Sequence, residues 1–185
     1  MEKGAQSFTW EAEDQNGDNL TFSIFIRGEK EQSWRLLAEK QEENFTLASE
    51  SLPDGRYYLR VTASDSPDNP AGQALAGELA SAAFELDNSP PRVELLSREG
   101  ADGKASLRFK AQDALSPLRK AELSADGNDW LPCYSADGMV DSRVEEFQFQ
   151  EGSLEPGEHI FTLRVYDASG NVGLGKAVVT VKGKP

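Results

Sequence analysis

The stretch that decides the fold is "LPDGRYYLRVTASD", residues 52–65, because a second copy, "LEPGEHIFTLRVYD", occurs without a gap at residues 154–167. Both copies begin Leu-x-x-Gly and then place apolar residues at every second position, in the second copy Phe161, Leu163 and Val165. Such alternation after a turn is typical of strands in antiparallel sheets. A repeat at an offset of 102 residues predicts two domains of one fold rather than a solenoid.

The remainder of each half follows the same repeat. "FTWEAED" at residues 8–14 matches "LRFKAQD" at 107–113, which pairs Trp10 with Phe109. Trp34 and Trp130 correspond to one another, each in a further short strand. Every one of these segments has the strand pattern, so the sequence predicts an all-β chain.

The join between the halves is "FELDNSPPRVELL", residues 84–96. Pro90 and Pro91 fix two backbone φ angles and remove two N–H donors, which indicates a short and stiff linker. We place the boundary near residue 88, giving domains 1–88 and 89–185. Two further segments are interpreted as irregular: "GQALAGELASAAF", 72–84, as a loop entering a strand, and "GNVGLG", 170–175, as a turn.

Each half resembles a fibronectin type III or closely related immunoglobulin-like β-sandwich. Trp10 resembles the buried Trp of that family's second strand, and Leu-x-x-Gly-x-Tyr, ending at Tyr57, resembles its tyrosine corner. The resemblance implies two tandem antiparallel Greek-key sandwiches, with Trp10, Tyr57, Trp34, Trp130 and His159 in structural roles. Domain 2 departs from the family pattern, because Phe109 replaces the Trp and His159 replaces the Tyr.

The pair of domains also resembles C-terminal modules of large exported bacterial proteins. This resemblance implies an extracellular, cell-surface or periplasmic location, with other domains of the parent protein as partners. It also implies a non-catalytic module that spaces or presents those domains. The alternative is a glycan- or protein-binding adhesion module, for which Phe25, Tyr58 and Tyr134 are the candidate exposed aromatic residues.

Domain 1 is short at its beginning. Its first clear strand, residues 8–12, corresponds to the family's second strand, and nothing before it matches the Pro-led "PPRVELL" of residues 90–96. Either the first strand is stunted or the chain was cut from a longer protein. We expect unpaired N–H and C=O groups at this sheet edge, weak association between molecules, and easier independent folding of domain 2.

His159 is the single histidine of the chain. It lies in the same alternation as the core residues of its strand and takes the corner position, where a ring with a polar tip is needed. Neutral imidazole offers one donor and one acceptor. No second His and no paired Cys support a metal site. The sequence therefore predicts a corner residue bonded to backbone near residues 154–157, rather than a catalytic base or a metal ligand.

Composition excludes several function classes. A net charge of −13 opposes binding to nucleic acid, whose partners release counterions with Lys and Arg. No apolar run approaches the roughly 18 residues of a membrane span. The single Cys133 cannot form an internal disulfide, and no phosphate loop, HExxH or CxxC motif occurs. We expect no enzyme activity, no catalytic residues and no cofactor.

Acidic loops leave calcium as an alternative to that expectation. Loops that meet at one end of each sandwich predict a tip cluster and a linker cluster of carboxylates, whose oxygen atoms suit Ca²⁺. The simpler interpretation is that Asp and Asn begin turns by bonding their own backbone. The tip cluster is Asp14, Asp18 and Asp65, and the linker cluster is Asp87, Asp113 and Asp167.

Overall fold

The computed structural model describes residues 5–70 and 72–182, which are mostly strand. The chain divides into two compact units, Met1–Asn88 (unit 1) and Ser89–Pro185 (unit 2), and their strand pairs are all antiparallel. One short 3-10 helix spans Ser49–Ser51. Among the described residues, no helix has the length and apolar composition needed to cross a membrane.

The described residues of unit 1 form two sheets, one of them small. Its strands are β1 (Ala5–Thr9), β2 (Thr21–Gly28), β3 (Arg35–Lys40), β4 (Asn44–Ala48), β5 (Gly55–Ser64), β6 (Ala76–Ala80) and β7 (Phe84–Leu86). β1 pairs with β4, while the larger sheet has the order β3-β2-β5-β6, with β7 also paired to β5. Every second residue of β2 is buried, so Phe22, Ile24 and Ile26 form the core with Leu59 and Leu47.

Unit 2 contains a three-stranded and a four-stranded sheet. Its strands are β8 (Arg92–Ala101), β9 (Lys104–Gln112), β10 (Leu118–Ala125), β11 (Leu131–Cys133), β12 (Val144–Glu151), β13 (Gly157–Asp167) and β14 (Val172–Val181). The sheets have the orders β12-β9-β8 and β11-β10-β13-β14. Consecutive strands change sheets three times, at β9–β10, β11–β12 and β12–β13, which gives the Greek-key connections of an immunoglobulin-like sandwich. Phe109, Phe147, Phe161, Leu163 and Val165 are fully buried between the sheets.

The 102-residue repeat coincides with the third strand of each larger sheet. β5 begins at Gly55 and β13 begins at Gly157, whose φ angles are 157° and 151°. Glycine adopts such angles without the clash that a Cβ would cause. Tyr57 and His159 follow two residues later, at the same place in each unit.

The first strand of unit 1 ends earlier than the alternation predicts. β1 stops at Thr9, so the predicted strand over residues 8–12 is wrong in its second half. Beyond Thr9, the Trp10 amide donates to Glu43 O at 3.2 Å and the Ala12 amide donates to a Glu43 carboxylate oxygen at 3.1 Å. A side chain thus replaces part of the strand ladder. Trp10 is half-buried and packs edge-on against Phe22, with ring centroids 5.5 Å apart.

Two segments predicted to be irregular contain strands. Residues 72–84 hold all of β6 and the first residue of β7, and the break between them follows from Ser81. Its hydroxyl accepts the Leu59 amide at 3.0 Å and donates to Ala82 O at 2.7 Å. In the second segment, residues 170–175, only the beginning is a turn, because β14 starts at Val172.

Candidate functional site

The corner residues bond to matched carbonyl groups in the two units. The Tyr57 hydroxyl donates to Pro53 O at 2.8 Å. His159 Nε2 lies 2.8 Å from Glu155 O, a carbonyl at the same spacing of four residues. The His159 side chain is 14% exposed, and its Nδ1 lies 2.7 Å from Asp126 Oδ2. Both ring nitrogens therefore face acceptors.

These acceptors favour the protonated ring. The Glu155 carbonyl and the Asp126 carboxylate raise the pKa of His159 above its usual value. In return, hydrogen bonds from His159 and from the Ile160 amide lower the pKa of Asp126. A ring held between two acceptors has no nitrogen free to take a proton from a substrate, so the geometry is that of a structural ion pair.

Asp126 is a partner that the sequence prediction missed. It follows β10 in an Asp-Gly turn with φ at 52°, and its second carboxylate oxygen accepts the Ile160 amide at 2.7 Å. Asp tolerates this left-handed conformation better than most residues. The Asp-Gly pair was the available signal, but nothing in the sequence places that turn beside His159.

Cys133 lies at the end of β11 and is half-buried. Burial, with a smaller contribution from the Glu122 carboxylate, raises the pKa of its thiol to about 12. The nucleophilic form of cysteine is the thiolate. At neutral pH this residue is therefore a small apolar group beside β10.

The tip carboxylates of unit 1 lie together. Asp14, Asp18 and Asp65 each offer an oxygen atom within 4.8 Å of the others. These side chains also hold their own loops: Asp14 Oδ1 accepts the Asn16 amide at 2.8 Å, and Asp65 Oδ1 accepts the Leu75 amide at 2.7 Å. The carboxylates thus do the turn-forming work expected of Asp in loops.

The loops of unit 2 use carboxylates in the same way. Asp113 and Asp167 offer oxygen atoms within 4.8 Å of each other. Asp113 Oδ1 accepts the Ser116 amide at 2.8 Å, and Asp167 Oδ1 accepts the Asn171 amide at 2.8 Å. Asp87 is buried and follows β7 in unit 1, so its membership of a linker cluster stays a prediction.

Thermal unfolding can distinguish calcium binding by these carboxylates from a role in forming turns. Because amide donors already stabilise these carboxylates, we expect the melting temperature of the chain to agree within about 1 °C in EDTA and in excess Ca²⁺. An ion present at 100 times its Kd would add about 2.7 kcal/mol to the free energy of unfolding. A rise of several degrees that Asp65→Asn abolishes would replace the turn interpretation with a calcium site.

Alternating aromatic and cationic side chains cover the outer face of the larger sheet in unit 1. The Arg27 guanidinium lies 4.9 Å from the centre of the Trp34 ring and 5.3 Å from that of Tyr58. Arg60 lies 4.8 Å from Trp34 and 4.9 Å from Phe25. Such contacts contribute about 0.5–2 kcal/mol each, depending on exposure. The Phe25 and Tyr58 rings are consequently covered by guanidinium groups rather than displayed.

Unit 2 has a shorter arrangement of the same kind. The Arg164 guanidinium lies 4.0 Å from the centre of the Trp130 ring and 5.6 Å from that of Tyr166. Lys120 lies 5.4 Å from Tyr166, and Glu122 bridges the two cations at 2.8 and 2.7 Å. Trp34 and Trp130 therefore have equivalent roles, each as the aromatic surface on which an arginine stacks.

Comparisons with known proteins give only distant structural similarity. No protein-family description and no curated protein match the chain. Among solved structures, the chicken interferon gamma receptor alpha chain is 12% identical, with a TM-score of 0.40 over 97% of this chain and 93% of the receptor chain.

Two larger proteins also match. Dimeric latent PorU from Porphyromonas gingivalis is 16% identical, with a TM-score of 0.43 over 90% of this chain. Red sea bream transglutaminase is 9% identical, with a TM-score of 0.37 over 88% of this chain. The chain spans 20% of the PorU chain and 27% of the transglutaminase chain. Similarity at this level assigns no activity or partner.

Proposed function

We propose that the chain is a non-catalytic structural and interaction module that spaces or presents other domains of a larger exported bacterial protein. The observation that carries this proposal is the engagement of His159, the strongest candidate for chemistry, between Glu155 O and Asp126. A catalytic base must be able to reach and accept a substrate proton. The ring instead ties the start of β13 to the turn after β10, which supports a structural role.

A glycan- or protein-binding adhesion module is the second candidate. The observation that favours it is a cleft of about 440 Å³ in unit 2, lined in part by Tyr134 and Met139. Tyr134 is 68% exposed and Met139 is 61% exposed, whereas Phe25 and Tyr58 are covered by arginines. A single exposed tyrosine is a weaker platform for a sugar than a row of aromatic rings.

Substitution of His159 tests the structural role. His159→Ala removes the ring and both hydrogen bonds, and we expect the melting temperature of unit 2 to fall by on the order of 5 °C. His159→Tyr should lower it much less, because Tyr57 makes the matched bond to Pro53 O in unit 1. Thermal unfolding of both variants beside the unchanged chain gives the answer. Equal damage from the two replacements would contradict the corner role and the proposal that rests on it.

The ion pair of His159 with Asp126 should make the melting temperature depend on pH. Because folding raises the pKa of His159 from about 6.5, its stabilisation is complete below that value and is lost as pH rises through the raised pKa. Folding lowers the pKa of Asp126 from 3.8, so its contribution is lost as pH falls through the lowered pKa. We expect the melting temperature to fall between about pH 6 and about pH 8 in the unchanged chain and to fall less in His159→Tyr. Identical pH profiles would exclude the pair.

A further inference from the structure

Unit 1 has a groove where unit 2 has its first strand. In unit 2, β9 is paired on both sides, by β12 and by β8. In unit 1, the matching strand β1 pairs with β4, and among the described residues of this unit no strand pairs with its other edge. A strand edge with unpaired N–H and C=O groups is a template for an added strand.

The groove lies beside the core and exposes apolar side chains. It encloses about 350 Å³ between residues 10–14 and residues 75–79, with Val61 and Ala63 among its lining. Leu75 is 68% exposed and Leu79 is 71% exposed, although Leu79 lies directly opposite the buried Val61 in the sheet. Apolar residues next to the core are thus uncovered.

Two glycines at equivalent positions of the repeat indicate that a backbone segment can pack in this groove. Gly77 pairs with Ala63, and Gly173 pairs with Val165, so the two occupy the same place in the repeat. A Cβ built on Gly173 would lie 1.8 Å from Pro91 O, whereas one built on Gly77 would meet no atom of the described residues within 4 Å. None of the described residues of unit 1 therefore fills the space that the chain leading into β8 takes in unit 2.

The charges around the groove favour a positively charged partner. Among the described residues, the lining of the groove contains no Lys or Arg and five acidic residues, Glu11, Glu13, Asp14, Asp65 and Glu78, of which Glu78 pairs with Arg60 at 3.2 Å. A second copy of this chain would bring a net charge of −13 to it. A cationic segment would instead gain attraction on approach, because complementary potentials favour association.

The register between β8 and β9 in unit 2 indicates which positions of an added strand should be basic. There, Arg92 lies opposite Gln112 and Glu94 lies opposite Lys110. In unit 1 the residues that correspond to Gln112 and Lys110 are Glu13 and Glu11. Directly opposed charges of opposite sign stabilise a strand pair, and like charges destabilise it. Basic residues at both positions, separated by an apolar residue, therefore suit this edge.

We propose that the groove of unit 1 binds an extended peptide strand of alternating apolar and basic residues, which adds antiparallel to residues 9–13. The inference rests on the proposed role as an interaction module and names the partner's chemistry. Main-chain hydrogen bonds to the free edge provide the affinity, and Glu11 and Glu13 provide the preference for a basic partner.

The test is an NMR titration of the intact chain with two matched peptides. Both derive from residues 90–96, "PPRVELL"; the basic peptide carries Glu94→Lys and the acidic peptide carries Arg92→Glu. We expect the basic peptide to bind at least about ten-fold more tightly at low salt, with the difference shrinking as salt screens the charges. Amide shifts should be confined to residues 9–14 and 75–79.

Three variants of the chain distinguish the contribution of the groove's shape from that of its acidic residues. Gly77→Val fills the groove and should abolish binding without lowering the melting temperature, while Ala80→Val, on the same strand but outside the groove, should bind normally. The double variant Glu11→Gln with Glu13→Gln should bind both peptides about equally.

The contradicting outcomes are distinct. Equal binding of both peptides by the unchanged chain, shifts outside the groove, or no shifts in a chain that melts normally would overturn this inference and leave the proposed function standing. Self-association that Gly77→Val abolishes would identify a second copy as the occupant and overturn the basic partner. Failure of the proposed function would appear instead in the His159 variants, whose stability the peptides do not probe.

Discussion

Replacing Gly173 with alanine is expected to destabilise unit 2 by about 3 kcal/mol, near the upper end of the usual range for overpacking. The added Cβ would lie 1.8 Å from the backbone oxygen of Pro91, so the chain that leads into β8 must move away from β14. Val93, which contacts the position of Gly175, would move with it. Thermal unfolding should show a fall of roughly 15 °C in the transition of unit 2.

Gly77→Ala is the matched control. The added Cβ would meet no atom within 4 Å in the part of the chain that the structure describes, and alanine adopts strand conformation more readily than glycine. We expect the transition of unit 1 to change by no more than about 0.5 kcal/mol. Equal destabilisation by the two substitutions would mean that the groove of unit 1 is already filled by chain, contrary to the arrangement described above.

The second large effect concerns the aromatic residue that the repeat places in each core. Phe109 is fully buried and packs edge-on against Phe149 with ring centroids 6.2 Å apart. Phe109→Ala should therefore reduce the free energy of unfolding of unit 2 by about 3–5 kcal/mol. Chemical denaturation monitored by circular dichroism gives this value directly.

Trp10→Ala is the comparison in unit 1. Trp10 lines the groove and is half-buried, so less surface returns to water and we expect less than half the effect of Phe109→Ala. Trp10→Phe should be close to neutral, since Phe occupies the matched position in unit 2. A loss from Trp10→Ala as large as that from Phe109→Ala would show that Trp10 is a fully enclosed core residue.

The strands with clear alternation could be predicted from sequence, and those without it could not. β5 and β13 carry inward Leu59 and Leu163 in a strict period of two, which specifies one buried face. β6 is Ala-Gly-Glu-Leu-Ala with all five residues exposed. Because neither face of this strand is buried, its sequence lacks the alternation of apolar and polar residues. Its pairing with β5 depends on the partner strand rather than on its own side chains.

The stacking of arginines on aromatic rings could not be predicted from the sequence for a different reason. An arginine that points outward from a strand has the same appearance in sequence whether it is solvated or stacked. The available signal was an aromatic residue two positions away on the same face, as in Phe25 and Arg27 or Tyr58 and Arg60. That signal places the two side chains on one face but does not show which neighbouring segment supplies the ring between them, here Trp34, which immediately precedes β3.

Hydrogen–deuterium exchange of individual amides tests the open strand position of unit 1 most directly. In unit 2, β9 is paired on both sides, so we expect consecutive amides of residues 105–112 to exchange slowly. In unit 1, we expect every second amide of residues 5–13 to exchange at least about 100-fold faster than its neighbours, because those amides point to the unpaired edge. Uniform slow exchange along residues 5–13 would contradict the account.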